Sequence, residues 1–260
     1  MSEPASLLTI DGISVRFGGL AAISDMSFEV YEGEIVSLIG PNGAGKTTAF
    51  NVITGYLQPD SGQSVYRGHS LNGLKPNQIA ELGVVRTFQK TSVFAGNTVF
   101  ENVLIGLHRR GSQSLAGALL RLPAMRVEEQ QLREVAAELL AFIGLDKRQQ
   151  ELASALAYGE QRLLEVAVAL TARPTLLLLD EPASGMNPSE TRDFVNMVGR
   201  IRARDVTILL VEHDMRVVMG VSDRVVVLNQ GEIIAQGAPA AIQRDPEVIR
   251  AYLGTGASRA

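Results

Sequence analysis

Cysteine is absent from all 260 residues, which excludes disulfide frameworks, thiolate metal sites and cysteine nucleophiles. Long hydrophobic runs are missing as well. No stretch approaches the roughly 18 apolar residues of a bilayer-spanning helix, so work at a membrane would need another chain to cross it. The opening MSEPASLLTI carries an acidic residue and no extended apolar core, and is not expected to act as a secretory signal. Positive charge is not in excess: the formal net charge of -4 argues against a broad nucleic-acid-binding surface, while leaving room for a local basic phosphate site. Cytoplasmic residence fits these absences. The chain is long enough for one large α/β domain, or for a core with a smaller inserted lobe.

What is present centres on Gly40 to Thr47, GPNGAGKT, which fits G-x-x-x-x-G-K-[ST] and follows the apolar run Ile35 to Ile39. A strand, a phosphate loop and a helix start are expected in that order. Glycines at Gly40, Gly43 and Gly45, with Pro41, Asn42 and Ala44 between them, let backbone N–H groups turn inward around a phosphate. The helix opening at Lys46 adds its positive dipole end. Lys46 supplies a full charge to the β/γ-phosphates, the Thr47 hydroxyl suits Mg²⁺, and Thr48 suits an α-phosphate oxygen. Such a loop binds a nucleoside triphosphate.

Earlier in the chain, short apolar spacing at Leu7 to Val15 and Met26 to Val30 reads as two strands of an antiparallel lobe. Phe17, between them, either stacks on a nucleobase or packs a strand end. Downstream, a helix to Gly55, a strand at Ser64 to Gly68, a short helix at Ile79 to Leu82 and a strand at Gly83 to Gln89 are expected. Gln89 reaches either a bound metal or water, or simply solvent. Residues 90–159 change to helical spacing, with Leu132, Val135, Leu139, Phe142 and Ile143 on one side. Within them, Arg109 to Met125 is leucine-rich and punctuated by Gly and Ser, as for packing in the lobe or contact with lipid or a membrane partner.

Leu156 to Arg162 reads as a glycine-bearing turn running into a helix from Gln161 to Ala172. Thr175 to Leu179 is continuously apolar, as for a strand buried on both faces, and delivers Asp180 and Glu181 at its carboxyl end. Val206 to Val211 is a second such strand, ending in Glu212-His213-Asp214; right-handed crossovers would bring His213 beside the acidic pair. Taken alone, a histidine at a strand end is more often a satisfied structural group. A hairpin about Gln230-Gly231 and a helical section from Pro239 to Leu253 close the chain, with 254–260 as a tail.

The order and spacing of these signals resemble the nucleotide-binding subunits of ATP-binding-cassette (ABC) transporters, from about Leu7 to Gly254. The resemblance implies a P-loop NTPase fold of the α/β class: a RecA-like parallel-sheet core with an antiparallel β lobe and an inserted α-helical lobe. One ATP-binding domain would span 1–254, with core and β lobe in 1–89 and 160–235, the helical lobe in 90–159 and a C-terminal helical segment in 236–254. It further implies that Phe17 stacks on adenine and that Gly40 to Thr47 is the Walker A loop. Gln89 would be the Q-loop residue, Leu156 to Glu160 the signature sequence, with Ala157, Gly159 and Glu160 toward nucleotide, and Leu176 to Asp180 the Walker B strand. Glu181 would be the catalytic carboxylate, Ser184 to Asn187 the D-loop and His213 the switch histidine. Mg²⁺ would be held by Thr47 and, through water, by Asp180 and Gln89.

The phrases RFGGL, VVRTFQ, LAYGEQR, NPSET, VEHDM and VIRAYLG look like the G-type ATPase of bacterial branched-chain amino-acid importers. Relatives of that group serve importers of urea, amides or other amino acids, and soluble ABC-type ATPases acting on DNA or ribosomes are a further alternative. The resemblance implies a second cassette as partner, a copy of this chain or a related F-type subunit, together with two membrane permeases, an extracytoplasmic solute-binding protein and no nucleic acid. It places the chain peripherally on the cytoplasmic face of the inner membrane. Two positions depart from the broad pattern and bear on dimer closure. Ala157 stands where serine is usual, and Asn187 where aspartate is usual.

Overall fold

The computed structural model describes residues 6–87, 93–108 and 123–253. Gln89, most of the stretch from Arg109 to Met125 and the tail 254–260 lie outside the described residues.

Three apolar pentapeptides form the middle of the fold: β3 (Ile35–Ile39), β7 (Leu176–Asp180) and β8 (Thr207–Val211), every residue of which is buried. With β6 (Val84–Arg86), β9 (Arg224–Asn229) and β10 (Glu232–Gly237) they make a six-stranded sheet in the order β10-β9-β3-β8-β7-β6. All its pairings are parallel except the β9–β10 hairpin at one edge. Strand alternation sends Leu176 and Leu178 into one core and Leu177 and Leu179 into another. Each such burial is worth about 1.5–3 kcal/mol relative to exposure, which is why these runs have no polar alternation.

The first core is closed by an antiparallel sheet of β1 (Ser6–Phe17), β2 (Leu20–Tyr31), β4 (Ser61–Tyr66) and β5 (His69–Ser70), in the order β2-β1-β4-β5, together with α1 (Lys46–Ile53). A short helix α2 (Pro76–Glu81) leads into β6. On the opposite face lie α3 (Val99–His108), α4 (Pro123–Ile143), α5 (Tyr158–Thr171) and α6 (Pro188–Arg202). Leu139 and Ile143 are buried there, with Leu132, Val135 and Phe142 packed beside them. The final helices α7 (Met215–Val221), α8 (Pro239–Ile242) and α9 (Pro246–Leu253) pack Val218, Ile242 and Val248 with Ile39, Val225 and Val227.

Local boundaries differ from the sequence expectations where tertiary pairing overrides local pattern. β1 and β2 each run for 12 residues, through several register shifts that periodicity does not reveal. Phe17 is therefore the last residue of β1, with Leu20 as its cross-strand partner. α5 starts at Tyr158, three residues before the expected Gln161, so Gly159 belongs to its first turn. Up to Thr87, where the described residues pause, β6 covers Val84–Arg86 of the strand expected from Gly83 to Gln89.

Candidate active site

Ligands of open parallel sheets gather at the carboxyl ends of the strands. Here β3, β8 and β7 are consecutive in the sheet and end at Ile39, Val211 and Asp180. Leu38 pairs with Val211, and Val211 with Asp180, so the segments that follow emerge side by side.

The loop after β3 is wedged between two backbones. Gly40 has φ +152, and a Cβ there would sit 2.0 Å from the Leu228 carbonyl oxygen. Gly45 has φ +109, and its Cβ would sit 2.6 Å from the Ala22 oxygen. Gly231 N–H, at the β9–β10 turn, donates to Ala44 O at 3.0 Å, and Ala44 N–H donates to Pro41 O at 3.2 Å. Only glycine permits this approach, which fixes the curve of the loop. Gly45 is the N-cap of α1 and offers no side chain to the helix start. The opening N–H groups of α1 therefore face outward as donors suited to an anion, beside the exposed Thr47 and half-buried Thr48.

Lys46 is buried, and its ammonium donates to Gly40 O at 2.6 Å and to Pro41 O at 3.0 Å. Burial holds its pKa below the ordinary lysine value, against the opposing pull of the Glu181 and Asp180 carboxylates. Two carboxylates from one motif thus bear on the lysine of a motif far away in the chain. Asp180 is itself buried, with Arg86 Nη2 2.6 Å from its Oδ2. Arg86 also donates to Asn51 Oδ1 at 2.7 Å and lies over the Phe50 ring, tying α1 to the β6–β7 edge.

Glu181 follows with φ +47, a left-handed conformation that strains a non-glycine residue by about 1–2 kcal/mol. Its N–H donates to Val211 O at 2.9 Å, which holds that geometry in place. Glu212, fully buried, accepts from Ala183 N–H at 2.8 Å, His213 N–H at 2.9 Å and Asp214 N–H at 3.2 Å. Burial raises its pKa, and the three backbone donors oppose that rise. The His213 side chain is 54% exposed, with Nδ1 3.9 Å from Glu212 Oε2.

Phe17 is exposed at the rim, on the hairpin whose β2 strand brings Ala22 against Gly45. The Leu156 to Glu160 segment lies apart. Ala157 is the N-cap of α5, and its N–H donates to Glu160 Oε2 at 2.9 Å. The Glu160 carboxylate also takes Arg148 Nη1, so it is turned back into its own lobe. Gly159 abuts Glu190, whose Cδ would be 2.8 Å from a Cβ at that position, and Gly185 abuts the Tyr158 ring. Asn187 caps α6, its Oδ1 accepting from Ser189 N–H at 2.9 Å and Glu190 N–H at 3.1 Å, while Glu190 Oε2 accepts from Asn187 N–H at 2.8 Å. A cleft of about 490 Å³ opens here, lined among others by Gly159, Glu160, Met186 and Glu190; none of its lining residues belongs to the phosphate loop.

The structure thus gathers Lys46, Asp180 and Glu181, puts His213 on the neighbouring strand end and Phe17 at the rim, and keeps Ala157, Gly159 and Glu160 with Asn187. Sequence reasoning missed Arg86 and Glu212, both of which stand inside recognised phrases. Among the described residues, no group of three or more His, Cys, Asp or Glu is placed to hold a metal ion. No helix of the described residues is long and apolar enough to cross a membrane.

Comparison with known proteins accords with this geometry. Residues 23–184 match the family described as ABC transporter, and residues 232–258 the family described as branched-chain amino acid ATP-binding cassette transporter. The chain is 48% identical over 255 residues to the high-affinity branched-chain amino acid transport ATP-binding protein LivG of Escherichia coli (strain K12), covering 98% of this chain and 99% of that protein. It is 45% identical, over the same shares, to the corresponding protein BraF of Pseudomonas aeruginosa. Among solved structures, the ADP conformation of MJ1267, an ATP-binding cassette of an ABC transporter, superposes with a TM-score of 0.84 at 31% identity, covering 96% of this chain and 99% of that one.

Proposed function

The chain belongs to the ATP-binding-cassette transporter family, and from that premise we propose that it is the ATP-hydrolysing subunit of an importer for branched-chain amino acids. The observation that carries the hydrolytic reading is that Lys46, which follows β3, and Asp180 and Glu181 at the end of β7 face one crevice across the end of β8, near enough for both carboxylates to pull on the lysine charge.

Adenine stacks on Phe17, and the phosphates lie in the Gly40 to Thr48 cradle, where Lys46 exchanges its carbonyl contacts for phosphate oxygens. Magnesium enters with ATP as part of the substrate. An ion of this kind keeps several waters and needs only one or two protein ligands, which Thr47 and Asp180 can supply, with Gln89 as a further one. Glu181 draws a proton from the attacking water as its oxygen bonds to the γ-phosphorus and the bridge to the β-phosphate breaks, releasing ADP and phosphate. His213 contacts the γ-phosphate and keeps that geometry.

One chain carries one phosphate loop and one signature segment, and the cleft beside that segment is not lined by the phosphate loop. In the arrangement that the family implies, the signature turn of a second cassette, a copy of this chain or an F-type paralogue, covers the ATP. Ala157 has no hydroxyl to offer that phosphate, so Gly159 N–H and the α5 dipole act in its place. Closing and opening of the pair, with the helical segment of residues 90–159 moving as a lobe, drives two permeases from the cytoplasmic face of the membrane, and a solute-binding protein delivers the cargo. The names of the relatives LivG and BraF, and the match of residues 232–258, support the solute class.

The test is uptake by vesicles containing the permeases, this chain and its second cassette, with the solute-binding protein supplied. Labelled leucine should accumulate only with ATP and be displaced by isoleucine and valine but not by urea. ATP-driven uptake of urea without leucine would overturn the solute assignment.

A further inference from the structure

Glu212 is a buried side chain that touches both segments bearing the hydrolytic groups. It is 0% exposed, and its Oε1 accepts the N–H of Ala183, two residues after Glu181 and 29 residues earlier in the chain than Glu212 itself. Its Oε2 accepts the N–H groups of His213 and Asp214. A carboxylate is expensive to bury, and the three donors offset that expense only while both segments keep their places.

Val211 and Glu212 together grip the Glu181 turn twice. Val211 O takes Glu181 N–H at 2.9 Å, and Glu212 takes Ala183 N–H at 2.8 Å. Between these anchors Glu181 sits at φ +47, a conformation it would leave if released. On the other side, Asp214 continues the tie into α7, its Oδ1 accepting Arg216 N–H at 2.9 Å.

We propose that Glu212 is a positioning residue for hydrolysis, its carboxylate locking the Glu181 turn to the His213 segment so that the two groups move as one unit; this rests on the hydrolytic reading above. It touches no phosphate and contributes nothing to ATP affinity. An alanine removes all three acceptances. A glutamine keeps the shape and one carbonyl oxygen, but turns an amide N–H₂ toward N–H donors.

The experiment compares phosphate release, ATP affinity and thermal stability for the full chain with magnesium-ATP, in E212A, E212Q, H213A, E212A/H213A and E181Q. E212A should lower kcat roughly ten-fold or more, since small misplacements of reacting groups are that costly. KM and the ATP Kd should stay within about two-fold of wild type, the pattern of an interaction felt only in the transition state. E212Q should recover part of kcat, and the double variant should lose less than the product of the single losses. Wild-type kcat in E212A while E181Q is inactive would overturn the brace and leave the hydrolytic reading standing. Equal losses of ATP affinity and turnover in both Glu212 variants would also overturn it, as the mark of general unfolding. Wild-type turnover in E181Q would remove the reading beneath the proposal. Should E212A fail to fold, E212Q decides alone: lowered kcat at unchanged KM supports the brace, and wild-type kcat overturns it.

Discussion

Arg86 and Asp180 form an ion pair at 2.6 Å whose side chains are only 7% and 1% exposed, joining the strand before the Gln89 segment to the strand that carries the acidic pair. Removing one member of a buried pair leaves a charge that water cannot reach. R86M should therefore destabilise the chain by about 3–5 kcal/mol, and R86M/D180N by clearly less than the sum of the single variants. Urea denaturation of the three variants measures this, and a loss below about 1 kcal/mol in R86M would contradict the pairing.

The glycines of the phosphate loop should separate by mechanism. A methyl at Gly40 would meet the Leu228 oxygen at 2.0 Å, whereas Gly43, at φ +82, has nothing within 4 Å of a Cβ. G43A should lose only the conformational strain of about 1–2 kcal/mol. G40A should prevent the loop from closing and abolish triphosphate binding. Calorimetric titration of both variants with ATP tests the contrast, which fails if G40A binds as G43A does.

Much of this was legible in the sequence, and the exceptions share a cause. The runs at β3, β7 and β8 could only be strands buried on both faces, and the phosphate loop declares itself through glycine spacing. Arg86 and Glu212 also stood in view, within VVRTFQ and VEHDM, but their partners lie 94 and 29 residues away and meet them only after β6, β7 and β8 pair. Gly159 read as a turn residue because glycine so often marks one. Its absent side chain instead lets the start of α5 lie against Glu190. Asn187-Pro-Ser-Glu190 is a capping pattern on its face, and the residue that departs from the family aspartate is the cap itself.

That cap yields its own prediction. N187A should cost about 1 kcal/mol through the lost acceptances from Ser189 and Glu190, while N187D, which keeps an acceptor at a helix start, should stay within about 0.5 kcal/mol of wild type. Thermal melts of the two variants decide. Equal stability of N187A and wild type would show that the cap is not needed.

Lys46 should leave a mark on alkaline stability. Its pKa in the folded chain lies below the ordinary 10.5, so between the two values the unfolded chain binds more protons than the folded one. Stability from this group therefore rises with pH through that window. Relative to K46M, the wild-type chain should gain unfolding free energy as pH climbs toward 10.5, as read by urea titrations at stepped pH. A flat or falling difference would contradict the burial of a charged ammonium.

The central claim is that Glu181, poised beyond β7, activates the water that cleaves ATP. Its most direct test is rapid-quench phosphate release by E181Q set against equilibrium ATP binding by the same protein. ATP should bind within about two-fold of the wild-type Kd while phosphate release falls by roughly a hundred-fold or more, the scale of a lost general base. Release at the wild-type rate would contradict the account.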